Sequence, residues 1–148
     1  MIVHGFEFPD DVYLLVEHQV WVRRDADGTA TVGITALGIH LGGEIYMCRV
    51  KPVGTRVEQA RSIGIVELAK TIISVKAPVT GVVESVNPAL EQTPELIHLD
   101  PYGKGWLARV RVEDFGRDES LLVRAPLAAE AVSNYYATAP KPHERNPE

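Results

Sequence analysis

Lys70 stands in GIVELAKTIISVKAPVTG, residues 64–81, surrounded by Ile, Val, Leu and Ala, with Glu67 three residues before it. A primary amine held clear of its neighbours is a target for acylation, which removes the ammonium charge and lengthens the side chain. Periodicity alone permits a different picture. Ile65, Leu68, Ala69, Ile72 and Ile73 recur at helical spacing, leaving Glu67, Lys70, Thr71 and Ser74 on the other face with Glu67 and Lys70 set for an i,i+3 pair. Against a helix stand five β-branched residues between Thr71 and Val79, and turn formers at Gly64 and Pro78–Gly81. These favour a hairpin with Ala69-Lys70-Thr71 at its tip.

The elements around this stretch read mostly as strands. Residues 20–24, 30–35, 45–50, 82–86 and 106–112 are β-branched or aromatic runs, separated by turn formers such as Asp27-Gly28, Gly42-Gly43 and Asp100-Pro-Tyr-Gly-Lys-Gly105. Short strands at this spacing suggest a sandwich or barrel. VKPVGTRV (50–57) echoes VKAPVTGVV (75–83), which reads either as two similar halves or as two unrelated Pro-Gly turns. A short helix is expected at 36–41. Another should follow Ala125-Pro126, with Leu127, Ala131 and Tyr135 at helical spacing. PKPHERNPE is polar and Pro-rich, so one domain over 1–138 and a disordered tail over 139–148 are expected.

With 148 residues, 45% hydrophobic and 24% charged, the composition is that of one soluble domain. A net charge of −5 with scattered Lys and Arg gives no footprint for nucleic acid or an anionic membrane. The N-terminus has no signal-peptide pattern and no run is long enough to span a bilayer, so a cytoplasmic location is expected. The single cysteine, Cys48, lies in an apolar strand and reads as buried and inert. Sulfur redox chemistry here would need borrowed sulfur.

VELAKTIISVKAPVTG resembles the lipoylation hairpin of the glycine cleavage system H protein family. DGTATVGIT (27–35), KPVGTRV (51–57), VNPAL with PELI (86–97) and DPYGKGWL (100–107) follow in the family's order, so the resemblance covers about residues 12–137. It implies a mainly β fold, a flattened antiparallel β-sandwich or hybrid barrel of the lipoyl-domain type, with flanking short helices and a C-terminal helix. It also implies lipoic acid in amide linkage to Lys70, with Glu67 read by the attaching enzyme. The dithiolane ring would be opened and reclosed by thiol–disulfide exchange, and its tether would let one carrier visit several active sites. The methionines that flank the lysine of biotin carriers are missing, as is the D-K-A tip of the 2-oxoacid dehydrogenase lipoyl domains.

The departures bear on cargo. The family holds a cationic aminomethyl group with carboxylates, one in an H-E-W segment and one four residues after the lysine. Here the first segment reads His18-Gln19-Val20-Trp21 and the second position is Ser74. Lys76 stands where the family rarely has a base, although a solvated strand residue is its simpler reading; His98 reads as a surface loop residue, and His40 as a helix-end residue or a partner contact. Ser74, Lys76 and His18 are thus the expected surroundings of the arm. The lost charge complementarity favours a cargo without an amine. Together with the extended N-terminal segment, this resembles the H-like lipoate-binding proteins that serve a heterodisulfide-reductase-like complex in sulfur oxidation. The alternatives are an H protein serving the glycine cleavage enzymes, and an unmodified interaction module. Expected partners are a lipoate ligase or octanoyl/lipoyl transferase, one of those two enzyme systems, and dihydrolipoyl dehydrogenase. No catalytic Ser/His/Asp or Cys/His set is legible, so a non-catalytic, monomeric carrier is expected.

Overall fold

The computed structural model describes residues 1–141. Its strands are β1 (Ile2–Val3), β2 (Phe6–Glu7), β3 (Tyr13–Leu15), β4 (Val20–Arg24), β5 (Thr29–Ile34), β6 (Met47–Val50), β7 (Arg56–Val57), β8 (Ser62–Glu67), β9 (Ile72–Lys76), β10 (Gly81–Val86), β11 (Ala108–Val112) and β12 (Val123–Arg124). Helices are α1 (Ala36–Gly42), α2 (Leu96–Leu99), α3 (Phe115–Asp118) and α4 (Ala129–Thr138). None of them is long and apolar enough to cross a membrane.

A seven-stranded sheet, β12-β3-β4-β5-β11-β10-β7, and a three-stranded sheet, β6-β8-β9, are antiparallel throughout. Strand alternation sorts the large sheet into two buried faces. Val20, Val22, Val32 and Val110 face the small sheet with Val66 and Val75 to form the sandwich core. Trp21, Leu14 and Val12 point the other way, into a second cluster closed by Phe8, Leu37, Leu41 and Val132. The mainly β sandwich with flanking helices is the architecture expected from the sequence. Both echo segments make the same move, since 50–57 and 75–83 each carry the chain from the small sheet to adjoining strands of the large one.

Two expectations need correction. Thr35 caps α1 by accepting from the Gly38 amide at 3.0 Å, as a helix over 36–41 requires, but the C-terminal helix starts later than expected. Ala125–Leu127 forms a 3-10 turn, which shifts the helical phase, so Leu127 is exposed and the buried stripe is Ala128 and Val132. Of the expected tail, Ala139 packs against the second cluster and the Lys141 ammonium sits over the Tyr136 ring; residues 142–148 lie outside the described residues.

The two faces meet tightly at Trp21, which is cross-strand from Gly33. A Cβ on Gly33 would come within 2.6 Å of the indole ring. Gly33→Ala should therefore lower unfolding stability by about 1–3 kcal/mol through overpacking, read as a fall in the urea midpoint at unchanged m-value.

Candidate functional site

The opening stretch is a hairpin. β8 and β9 pair in register with Glu67 opposite Ile72, and the Leu68 amide donates to the Thr71 carbonyl at 2.9 Å, leaving Ala69-Lys70 at the tip. A helix would have paired Glu67 with Lys70; no such ion pair forms. β-Branched side chains suit the pleated, half-exposed surface and lose rotamer freedom in a helix, so strand preference overrides the helical periodicity. Lys70 is exposed, and among the described residues no hydrogen bond or ion pair holds it. Glu67 is half-buried beside Met47 and Ile72, and its carbonyl accepts from the Tyr46 amide at 2.8 Å.

A cleft of about 160 Å³ opens beside the tip. One wall is Leu68, Ile73, Ser74 and Val75 of the hairpin. The facing walls come from His18 to Val20, from α1 with its Gly42-Gly43 exit, and from Tyr135 of α4. Of the expected surroundings of the arm, the structure brings His18 and Ser74 to this cleft. Lys76 is not part of the lining; it is half-buried on β9, where its ammonium donates to the Ser74 hydroxyl at 3.3 Å.

The cleft is mostly apolar and carries no carboxylate among the described lining residues. Glu17, Glu44 and Glu67 each adjoin lining residues in sequence without lining the cleft themselves; Glu17 lies 3.8 Å from His18 Nε2 with its side chain 85% exposed. Gln19 reaches the cleft yet is committed to the fold: its Nε2 donates to the Val16 carbonyl at 2.8 Å and its Oε1 accepts from the Thr35 hydroxyl at 2.6 Å. The sequence names Gln19 only in the segment set against H-E-W and Tyr135 only in a helical repeat; that both line the cleft is not legible there, because the walls they complete come from distant segments. His98 was expected on a surface loop. It sits instead on the short α2, where Nε2 accepts from the Ile45 amide at 3.0 Å and fixes the chain that leaves α1. His40 ends α1, as expected, with its ring 5.0 Å from Phe6.

Cys48 is half-buried on β6, and burial pushes its thiol up to about 11. Among the described residues no cluster of His, Cys, Asp or Glu is arranged to hold a metal ion. What the site offers is an unengaged amine on a projecting turn, next to a mostly apolar cleft. A lysine extended by an acyl chain and a dithiolane fits both halves of that arrangement.

The Asp100–Trp106 segment is a brace rather than a reactive loop. The Pro101 carbonyl accepts from the Trp21 indole N–H at 3.2 Å, and the Tyr102 carbonyl accepts from Arg23 at 3.0 Å. The Tyr102 hydroxyl, pushed up to about 12 by burial, accepts from the Ala36 amide at 3.0 Å and donates to the Glu7 carbonyl at 2.8 Å.

Comparison with known proteins places these features. The family model described as glycine cleavage H-protein matches residues 12–135. The glycine cleavage system H protein of Marinobacter nauticus is 41% identical over 122 residues, covering 82% of this chain and 93% of its own length. Glycine cleavage system H protein 3 of Aquifex aeolicus is 37% identical over 134 residues, covering 88% and 83%. The crystal structure of a glycine cleavage system H protein from Mycobacterium marinum superposes with a TM-score of 0.69 at 31% identity, over 84% of this chain and 98% of that one.

Proposed function

The chain belongs to the glycine cleavage H-protein family, whose members are non-catalytic carriers of lipoic acid on a lysine, and from that premise we propose that Lys70 is the modified lysine and that the cleft beside it receives the arm. The observation that carries this reading is the tip itself. Lys70 is exposed and unengaged at the end of a hairpin whose next residues, Leu68 and Ile73, already line the cleft. When attached, the dithiolane supplies reversible disulfide chemistry. The residues of this chain present, shelter and orient it. Leu68, Ile39, Ile73 and Val75 offer apolar contact to the acyl chain, and Glu67 is the acid that the attaching enzyme reads beside its target.

The relatives support a carrier that serves the glycine cleavage enzymes. The sequence alone favours the heterodisulfide-reductase-like sulfur-oxidation role over this one, but none of the relatives above is named for that role. One observation still favours a cargo without an amine: the cleft lining holds His18 and Ser74 and no carboxylate to pair with a cation.

The test has two stages. Coexpression with a lipoate ligase should add one lipoyl mass to the full chain, located on Lys70 by peptide mapping; modification at another lysine, or none, overturns the site. The lipoylated protein is then incubated with glycine and a glycine decarboxylase. Aminomethyl loading at the rate of a known H protein establishes the glycine cleavage role, and loading slower by about a hundredfold or more establishes that the neutral cleft has changed the cargo.

A further inference from the structure

Residues 2–8 lie outside the span that the family model matches, yet they touch both helices that wall the cleft. β1 and β2 form a minimal hairpin turned at His4-Gly5, both in the left-handed region with φ of 51° and 85°. Its turn grips α4: the His4 ring stacks on Tyr136 at 4.3 Å and 19°, and His4 Nε2 shares a hydrogen bond with the Ser133 hydroxyl at 3.1 Å. Its second strand grips α1 at both ends. Phe6 packs 5.0 Å from His40 in the last turn, and the Glu7 carbonyl accepts from the Tyr102 hydroxyl that also receives the Ala36 amide in the first turn. Phe6 also lies 6.3 Å from Tyr136, so its ring sits where the two grips meet.

On the cleft side of the same helices stand Gly38, Ile39 and Gly42 of α1 and Tyr135 of α4. α1 has two turns and ends in Gly42-Gly43; its Leu37 and Leu41 share the second core cluster with Val132 of α4 and with Val3 and Phe6 of the hairpin. A short helix with a glycine exit opens readily unless something holds it from behind. We propose that the N-terminal hairpin is a clasp that sets the gap between α1 and α4, and thereby how long the loaded arm stays in the cleft. The proposal rests on the carrier reading for its arm and on the contacts above for its mechanics. Tight walls exclude water and bulky reagents from a seated arm; slackened walls shorten its stay.

The experiment compares full-length wild-type protein with the double variant His4→Ala/Phe6→Ala and with Tyr102→Phe, which deletes only the bridging hydroxyl. Val57→Ala, in the sandwich core remote from the clasp, controls for lost stability. Amide exchange is measured on unmodified protein, and reduction of the disulfide by a water-soluble phosphine on lipoylated protein. The double variant is expected to exchange the Gly38–Gly43 amides at least about tenfold faster and to lose its disulfide at least about fivefold faster, with Tyr102→Phe smaller in the same direction and Val57→Ala near wild type on both. Unchanged Gly38–Gly43 exchange overturns the clasp. Faster exchange with unchanged reduction overturns its hold on the arm, and equal acceleration in Val57→Ala reduces the effect to stability. Absence of a lipoyl mass sinks the carrier reading alone, since the exchange measurement needs no arm.

Discussion

Lys70→Arg yields a protein that folds like wild type and carries nothing. The side chain makes no hydrogen bond or ion pair among the described residues and stands in water, so the exchange keeps the charge and costs within about 0.5 kcal/mol. Function falls to background rather than declining, because a guanidinium stays protonated and is not a nucleophile that the attaching enzyme can acylate. The measurement pairs intact mass with a urea melt: no lipoyl addition, an unchanged midpoint, and no turnover when the variant replaces wild type in a reconstituted glycine cleavage assay. The result that sinks the assignment is a lipoyl mass on the variant. Lys76 would then be the natural suspect, six residues along and hydrogen-bonded to Ser74.

The second large effect is on stability. Trp21 is fully buried, donates to the Pro101 carbonyl, lies over the Cα of Gly33 and takes the Arg23 guanidinium 5.0 Å from its ring centre. Trp21→Ala leaves a cavity at the junction of β4, β5 and the Asp100–Trp106 brace, and orphans a carbonyl that faces it. The expected loss is about 3–5 kcal/mol, much of the stability of a domain of this size. Trp21→Phe, which keeps most of the ring and loses the N–H, should fall between. Urea unfolding followed by far-UV circular dichroism reads both. An alanine variant within about 1 kcal/mol of wild type would show that the brace can repack, and the account of the second core cluster would fail with it.

How far the sequence reached depends on where each feature is encoded. The hairpin was legible because β-branching and the Pro-Gly boundary lie within the segment itself, and the strands because their alternation is local. The most specific motif, DPYGKGW, proved to be architecture: Asp100 Oδ2 accepts from the Lys104 amide at 2.9 Å, and a Cβ on Gly105 would come within 2.4 Å of the Leu96 carbonyl. The cleft was illegible because its walls are gathered from residues around 18, 38, 73 and 135, and no pattern within one segment records that meeting. The phase of the last helix failed for a related reason. Pro126 suits a helix start, but the 3-10 turn it begins consumes residues at a tighter pitch and rotates Leu127 into solvent. Ser74 and His18 were placed by resemblance alone; Lys76 was drawn in by its charge and stands behind the wall, where it donates to the Ser74 hydroxyl.

The half-buried Cys48 leaves a practical gift to the experimenter. With its proton held until far above neutral pH, the polypeptide presents almost no thiolate to maleimides or aromatic disulfide reagents, and the chain has no other cysteine. A thiol reagent therefore meets Cys48 slowly at neutral pH, and whatever the chain consumes before lipoylation measures that one residue, which is the background to subtract when the sulfur of the reduced cofactor is counted.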